Sequence, residues 1–171
     1  MRQPTIRVAS GADAPSIARI YVDSWNAGFK SLMPTRELTT ELVARWERDL
    51  VAPLPHRWWV AEVSGSLAGF AGIGPSRDPV DPALGELDTI AVDPAWWRRG
   101  IGQALMALAI GCLRSDGYGE AVLWTLARYE RGRRFYEAMG WRLDGGARAE
   151  GRQVRYRHSL ATANPKVRPM I

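Results

Sequence analysis

The sequence predicts an α/β (α+β) fold in which a central sheet of about six to seven strands is flanked by about four helices. Two patterns in the 171 residues support this prediction. Short alternating or continuous apolar segments are typical of strands, and longer segments with apolar residues three or four positions apart are typical of amphipathic helices. Both kinds of segment are interleaved without an internal repeat or a linker. We therefore expect residues 1–160 to form a single domain and residues 161–171 to form a flexible tail.

The N-terminal half is predicted to contain three strands and two helices. The predicted strands are 5–9, 58–63 and 67–73, the last two joined by a turn at Gly65. One helix begins at Asp13 and runs to Gly28, and a second runs from about 34 to 50. Residues 74–82 are rich in Gly, Pro and Asp, so we expect a loop there.

The C-terminal half is predicted to contain four strands and two helices. The predicted strands are 86–92, 121–126, 141–143 and 153–159. The strand 121–126 is almost continuously apolar, which is typical of a strand covered on both faces of a sheet. The predicted helices are 99–114 and 130–139, and residues 144–151 are predicted to be a loop.

The stretch from Glu86 to Leu105 has the pattern of a strand, a turn and a helix, and it predicts an anion-binding loop. The first turn of a helix offers N–H groups without helical partners and the positive end of the helix dipole. Gly100 and Gly102 allow an anion to approach the backbone closely. Two arginines just before them have the fork geometry that suits phosphate oxygens.

The charge of the chain also favours an anionic partner. The formal net charge is +5 and the sequence pI is about 9.9. Six arginines cluster near two predicted helix starts, at positions Arg98, Arg99, Arg128, Arg131, Arg133 and Arg134. The other basic residues are spread along the chain and no zinc or RNP-type motif is present, so we expect a small phosphorylated ligand and no nucleic acid.

Several features favour a cytoplasmic protein without membrane or metal. The lone Cys112 cannot form an internal disulfide and lies on a predicted apolar helix face, so we expect a buried thiol and not a nucleophile. The most apolar run, 104–113, is far shorter than the roughly 20 residues of a membrane span, and we infer no secretion signal. His56 and His158 are too isolated to suggest a metal site or a catalytic triad.

The order of elements, the Arg/Gly loop and the segment Arg133-Arg-Phe-Tyr-Glu-Ala-Met-Gly-Trp141 together resemble the GNAT superfamily of N-acetyltransferases. The resemblance extends to about Ser159. It implies a GNAT-type acyl-CoA N-acyltransferase fold with a mixed, mostly antiparallel sheet whose strands 4 and 5 splay apart. It also implies that acetyl-CoA is the co-substrate and that a primary amine, on a small molecule or a peptide, attacks it directly.

The resemblance implies a set of cofactor-binding residues at the end of the fourth strand, in the loop after it, and at the starts of two helices. This set comprises Ile90, Ala91, Val92, Arg98, Arg99, Gly100, Ile101, Gly102, Gln103, Ala104, Tyr129, Arg131, Arg133 and Tyr136. Two positions depart from the family pattern. Trp97 stands where the loop usually has Arg or Gln, although a frame through Arg99, Gly102 and Ala104 restores the pattern; Tyr129 stands where many members have Asn.

The chemistry of amine acetylation predicts candidate catalytic residues. An amine with a reference pKa of about 10.4 must lose a proton before it attacks. Glu86 and Asp88 lie on one face of a strand that, by resemblance, faces the acceptor, so Glu86 is the first candidate base and Asp88 the second. A solvated or salt-bridged carboxylate pair is the alternative interpretation. Tyr136 matches the family tyrosine that protonates the leaving thiolate, and a purely structural ring is the alternative.

The sequence says less about the acceptor amine, the alternative functions and the oligomeric state. Trp25 and Phe29, together with Glu86 and the loop 74–82, are expected to shape the acceptor pocket. A catalytically silent acyl-CoA sensor is the main alternative function. A dinucleotide site is disfavoured because Gly100 and Gly102 are followed by Leu105 and not by a third glycine. Eight tryptophans favour a homodimer.

Overall fold

A computed structural model describes residues 4–161, and within them it has seven strands and four α-helices. The strands are β1 (Thr5–Val8), β2 (Arg57–Val63), β3 (Ser66–Arg77), β4 (Val80–Val92), β5 (Glu120–Leu126), β6 (Arg142–Arg148) and β7 (Gln153–Ser159). The helices are α1 (Ala14–Gly28), α2 (Thr40–Leu50), α3 (Ile101–Ser115) and α4 (Glu130–Ala138). Most of the expected tail, from residue 162 onward, lies outside the described residues.

All seven strands form one sheet in the order β1-β2-β3-β4-β5-β7-β6. The pair β4 and β5 is parallel, and the other neighbouring pairs are antiparallel. The predicted mixed, mostly antiparallel sheet is therefore confirmed. None of the helices in residues 4–161 is long and apolar enough to cross a membrane.

The two parallel strands in the middle of the sheet separate soon after they meet. They are paired only through Gly85 with Ala121 and Glu86 with Val122. Beyond these pairs β4 continues to Val92 and β5 continues to Leu126, and the two strands do not pair with each other again. The predicted splay of strands 4 and 5 is confirmed, and it opens a gap in the sheet toward the C-terminal ends of both strands.

Helices cover both faces of the sheet and hold the splayed strands in place. On one face, Ile17 and Ile20 of α1 and Trp46 of α2 pack with Phe70 of β3. On the other face, Met106 and Leu113 of α3 belong to a buried cluster whose further members include Ile73, Leu87, Leu123, Trp141 and Tyr156. Burial of each such side chain contributes about 1.5–3 kcal/mol, so the gap lies within a rigid framework.

The predicted loop 74–82 is wrong, because β3 extends to Arg77 and β4 begins at Val80. The two strands turn through Asp78 and Pro79, which lie between their ends. The register shifts from Pro75 opposite Gly85 to Ser76 opposite Asp81, so three additional residues of β4 bend the hairpin. Gly, Pro and Asp here mark a bent hairpin rather than a loop.

Two other predicted boundaries also differ from the structure. Helix α2 begins at Thr40 and not near 34, because the Thr39 side chain caps it by accepting a hydrogen bond of 3.2 Å from the Leu42 N–H. The preceding residues are held against α1 by Asn26, whose side chain bonds both backbone groups of Arg36. Strand β6 continues to Arg148 through most of the predicted loop 144–151.

Candidate active site

A cavity of about 700 Å³ lies at the gap between β4 and β5. Its walls are the C-terminal parts of these two strands, the end of α1, the loop before α3, and the starts of α3 and α4. A cavity of this size is typical of small-molecule and cofactor sites.

The edge of β4 that faces the gap carries backbone donors and acceptors. The Asp93 N–H donates to the Ala68 carbonyl over 2.9 Å, which makes this pair a hydrogen-bonded one in the antiparallel β3–β4 ladder. Because hydrogen-bonded and non-hydrogen-bonded pairs alternate, the N–H groups of Val92 and Ile90 point away from β3. They therefore point toward the gap, where an extended ligand can pair with them.

The loop after β4 places backbone N–H groups at one end of the cavity. Arg98 and Gly100 have positive φ angles of 62° and 81°, which turn the chain into α3. The Ala104 N–H makes a helical bond to the Gly100 carbonyl. The N–H groups of the first three helical residues precede this bond, so they lack intrahelical acceptors. These residues, Ile101, Gly102 and Gln103, line the cavity and suit an anion.

Trp97 lines the cavity beside this loop and is anchored to β4. Its indole Nε1–H donates to the Val92 carbonyl over 2.7 Å. The guanidinium of Arg131, from the first turn of α4, lies 3.6 Å from the centroid of the Trp97 ring. Of the two loop arginines, Arg98 lines the cavity, whereas Arg99 does not and lies over the Trp96 ring at 4.9 Å.

Glu86 does not line the cavity. It is 6% exposed, and its carboxylate accepts the Arg77 backbone N–H over 2.8 Å and the Arg77 guanidinium over 2.9 Å. These bonds hold the bent β3–β4 hairpin against the sheet. Glu86 is thus tied to the hairpin rather than directed at the ligand space.

Asp88 lines the cavity. On β3, Gly72 pairs with Thr89 and the next residue pairs with Leu87, so Asp88 is the extra residue of a β-bulge. The Thr89 hydroxyl donates to its carboxylate over 3.0 Å, and Arg77 lies 3.1 Å away. Burial raises the pKa of Asp88 above its usual range, and the Arg77 charge opposes this shift.

Two tyrosines, Tyr129 and Tyr136, line the cavity. Removal of water from around the Tyr136 hydroxyl raises its pKa well above the usual value, and the neighbouring Tyr129 and Tyr156 hydroxyls raise it further. Burial also raises the pKa of Tyr129, whose ring packs edge-on against Phe29 with 4.7 Å between centroids. Both hydroxyls are therefore neutral throughout the ordinary pH range.

The aromatic residues predicted for the acceptor pocket, Trp25 and Phe29, do line the cavity, with 4.5 Å between their ring centroids. The Arg36 guanidinium lies over the Trp25 ring, 3.6 Å from its centroid. The Trp25 indole N–H donates to the Pro34 carbonyl over 3.1 Å. These contacts fix the wall that the end of α1 contributes.

Sequence reasoning missed a second group of lining residues, Tyr21, Ser24, Trp124, Arg148 and Gln153. Trp124 donates its indole N–H to the Asp78 carbonyl over 2.9 Å, and Arg148 pairs with the Asp78 carboxylate at 2.9 Å. The hairpin turn is thereby tied to β5 and β6. The signal that could have revealed this wall was a tryptophan in a strand otherwise made of smaller residues.

The structure brings together most of the predicted site residues around one cavity: Trp25, Phe29, Asp88, Ile90, Ala91, Val92, Arg98, Gly100, Ile101, Gly102, Gln103, Tyr129, Arg131 and Tyr136. It does not place Glu86, Arg99, Ala104 or Arg133 on the cavity wall. The Arg133 guanidinium instead donates to the Tyr156 hydroxyl and to the Ala127 carbonyl, both over 2.9 Å. Its role is to join α4 to β7.

Comparison with known proteins identifies the class of this fold and site. The sequence matches the family described as "Acetyltransferase (GNAT) family" over residues 15–141. The chain therefore belongs to the GNAT acetyltransferase family. It is 29% identical over 126 residues to the uncharacterized N-acetyltransferase YuaI of Bacillus subtilis, and the match covers 71% of each chain.

Solved structures share the fold at low sequence identity. The PaiA N-acetyltransferase of Thermoplasma acidophilum, in complex with coenzyme A, superposes with a TM-score of 0.74 at 18% identity, covering 92% of this chain and 99% of that one. YncA of Salmonella typhimurium, a putative acetyltransferase with its cofactor acetyl-CoA, gives a TM-score of 0.70 at 23% identity, covering 98% and 100%. The predicted GNAT-type fold is confirmed.

Proposed function

We propose that this protein transfers an acetyl group from acetyl-CoA to a primary amine by direct attack. One observation carries the proposal. A single cavity joins an anion-binding helix start, an open strand edge and a partly buried carboxylate, Asp88. This order of groups matches a ligand with phosphates at one end, amides in the middle and a reacting centre next to an acceptor.

The chain offers suitable partners for each part of acetyl-CoA. The N–H groups of 101–103, with the charges of Arg98 and Arg131, suit the phosphates. The edge at Ile90 and Val92 suits an arm that carries amide groups. When bound, acetyl-CoA supplies an acyl group activated as a thioester. Fold relatives solved with coenzyme A or acetyl-CoA support this choice of ligand.

We assign the general base to Asp88 in preference to Glu86. Asp88 faces the cavity, whereas both Glu86 oxygens are occupied by Arg77. The raised pKa of Asp88 makes it a stronger base than an exposed carboxylate. Asp88 takes the proton from the bound ammonium group, directly or through water, and leaves a neutral amine whose lone pair can attack.

The remaining charges are stabilised by groups on β4 and α4. As the amine nitrogen bonds to the acyl carbon, the Val92 N–H donates to the acyl oxygen, where negative charge develops. The carbon–sulfur bond then breaks, and the Tyr136 hydroxyl donates a hydrogen bond to the departing thiolate. Because the raised pKa of Tyr136 disfavours a lasting tyrosinate, we assign it hydrogen-bond donation to sulfur, and the second proton of the attacking nitrogen passes through this hydroxyl to the sulfur as product leaves.

Calorimetry with acetyl-CoA, followed by thiol release in an amine panel, tests this function. The panel contains polyamines, amino acids, peptide N-termini and aminoglycosides. We expect saturable binding, a rise in melting temperature, and release of CoA with at least one class. Binding without release for every class would support the silent sensor, the alternative suggested by the departures at Trp97 and Tyr129. Absence of acetyl-CoA binding would contradict both functions.

A further inference from the structure

Trp97 and Arg131 form a stacked pair that links two walls of the cavity. Trp97 precedes α3, and Arg131 is the second residue of α4. The Arg131 guanidinium carbon lies 3.6 Å from the centroid of the Trp97 ring, and both residues line the cavity. A cation at this distance is attracted by the negative face of the indole ring. The pair therefore bridges the end of the cavity where the helix starts meet.

The indole ring is a fixed platform. Its Nε1–H donates to the Val92 carbonyl over 2.7 Å, and the Asp93 N–H at the other side of that peptide donates to the Ala68 carbonyl over 2.9 Å. The peptide that accepts the indole bond is thus anchored to β3. Since the ring cannot turn without breaking this bond, it also restricts where Arg131 can lie.

Arg131 differs from its neighbours on α4 in the groups that contact its guanidinium. Arg134 pairs with Glu130 at 3.1 Å, and Arg133 bonds Tyr156 and Ala127. Within residues 4–161, none of the ion pairs involves Arg131. An aromatic face orients its guanidinium and leaves its N–H donors for an anion. Such preorganisation reduces the entropy lost on binding.

We propose that Arg131, held on Trp97, forms a phosphate subsite for coenzyme A opposite the N–H groups that begin α3. The proposal rests on the proposed function, because it takes the ligand to be acetyl-CoA. It also explains the unusual Trp97: the indole supplies no charge of its own, but it positions a charge that comes from α4. The same indole holds the Val92 peptide, so it couples the phosphate subsite to the strand edge.

Calorimetry on the full chain tests the subsite with three ligands: coenzyme A, 3′-dephospho-CoA and pantetheine. Arg131→Gln removes the charge, Trp97→Leu removes the platform, and Trp97→Phe keeps a ring without the N–H. A charged hydrogen bond is worth about 1.5–3 kcal/mol, so Arg131→Gln weakens coenzyme A binding by about 10- to 100-fold and leaves pantetheine unchanged. Arg134→Gln is the matched control, because Arg134 is in the same helix but pairs with Glu130.

The pair is expected to act as a unit. Trp97→Leu weakens coenzyme A binding as Arg131→Gln does, Trp97→Phe weakens it less, and the double variant Trp97→Leu/Arg131→Gln is weakened less than the two single effects combined. Additive effects would overturn the role of Trp97. If Arg131→Gln removes the difference between coenzyme A and 3′-dephospho-CoA, the subsite binds the 3′-phosphate; if both ligands weaken equally, it binds the pyrophosphate.

Two results separate this proposal from the proposed function. Wild-type affinity of Arg131→Gln for coenzyme A, or an equal loss for pantetheine, would overturn the subsite while acetyl transfer stood. Conversely, tight and Arg131-dependent binding of coenzyme A without transfer to any amine would support the subsite and contradict the enzymatic function. Because Arg131 is exposed, its replacement is not expected to prevent folding.

Discussion

Arg77 and Asp88 form an ion pair in which Nη2 of Arg77 lies 3.1 Å from Oδ1 of Asp88. The same nitrogen lies 2.9 Å from Oε1 of Glu86, so one guanidinium pairs with two carboxylates of β4. The two carboxylates are not equivalent, because Glu86 also accepts the Arg77 backbone N–H and lies outside the cavity wall. Glu86 is therefore tied to the hairpin, and this difference is the reason that we propose Asp88 as the general base.

Asp88→Asn is expected to lower kcat/KM by about 10²- to 10³-fold, because a general base contributes acceleration of that order. Acetyl-CoA binding is expected to be unchanged, since the proposed mechanism assigns Asp88 to the acceptor amine and not to acetyl-CoA. Steady-state kinetics and calorimetry on the same preparation check both points. Glu86→Gln is the matched comparison, and it should reduce thermal stability more than turnover. A larger loss of kcat/KM in Glu86→Gln than in Asp88→Asn would indicate that Glu86 is the general base.

Arg77→Met is expected to move the acidic limb of the pH–rate profile to higher pH. Asp88 must be deprotonated to act, so activity falls as pH drops through its raised pKa. Arg77 lowers that pKa, so removing its charge raises the pKa further. Measuring kcat/KM against pH for one amine gives the limb. Arg45→Met, which breaks an exposed α2 pair with Asp49, should leave the limb in place.

Tyr136→Phe is expected to lower kcat by about 10- to 100-fold while the Kd for acetyl-CoA changes little. The ring still fills its place beside Tyr129, but the leaving sulfur loses its hydrogen-bond donor. Single-turnover kinetics and calorimetry separate the two effects. Tyr118→Phe provides a control, because Tyr118 is not on the cavity wall. Unchanged turnover in Tyr136→Phe would leave this residue with a packing role only.

Asp13→Asn is expected to destabilise the junction of β1 and α1. The bidentate hydrogen bond from the Arg7 guanidinium, with both distances at 2.8 Å, is the main cause that lowers the pKa of Asp13 to about 2. A lowered pKa gives stability that is present above about pH 4 and is lost as pH falls toward 2. Urea unfolding should show a loss of about 1–2 kcal/mol at pH 7.

The pH dependence of the stability difference between wild type and Asp13→Asn checks that prediction. The difference between wild type and Asp13→Asn should shrink as pH falls from 4 to 2, because Asp13 becomes protonated in the wild type. Asp23→Asn is the control, since Asp23 forms an exposed pair with Arg19 within one helix and such pairs contribute little. A difference independent of pH would mean that the carboxylate charge is not what stabilises this junction.

Local sequence patterns predicted most of the elements but not the long-range bending of the sheet. Strand β7 has the predicted bounds 153–159, because its alternation is a local property. The hairpin turn at Asp78 was mistaken for part of a loop because its pairing depends on a bulge and on Glu86, nine residues after Arg77. The start of α2 was missed because Thr39 rather than the Pro34 region caps it.

For the site, residues in contiguous motifs were easier to predict than residues brought together by the fold. The stretch 90–92 and the loop after it were found together because they are adjacent in sequence. The sequence could not predict which of Glu86 and Asp88 lines the cavity, since the two residues alternate onto one strand face and the bulge at Asp88 depends on pairing with β3. Trp124 and Arg148 lie on strands without a recognisable motif. They come together because both bond to Asp78 in the hairpin turn.

Detection of the acetylated product by mass spectrometry, together with thiol release from acetyl-CoA, tests the central claim most directly. Wild-type protein, Asp88→Asn and Arg45→Met are incubated with acetyl-CoA and each amine of the panel. We predict an added acetyl group on at least one primary amine for wild type and Arg45→Met, and a reduction of about 100-fold or more for Asp88→Asn. Equal product formation by Asp88→Asn, or no product with any amine despite saturating acetyl-CoA, would contradict the account.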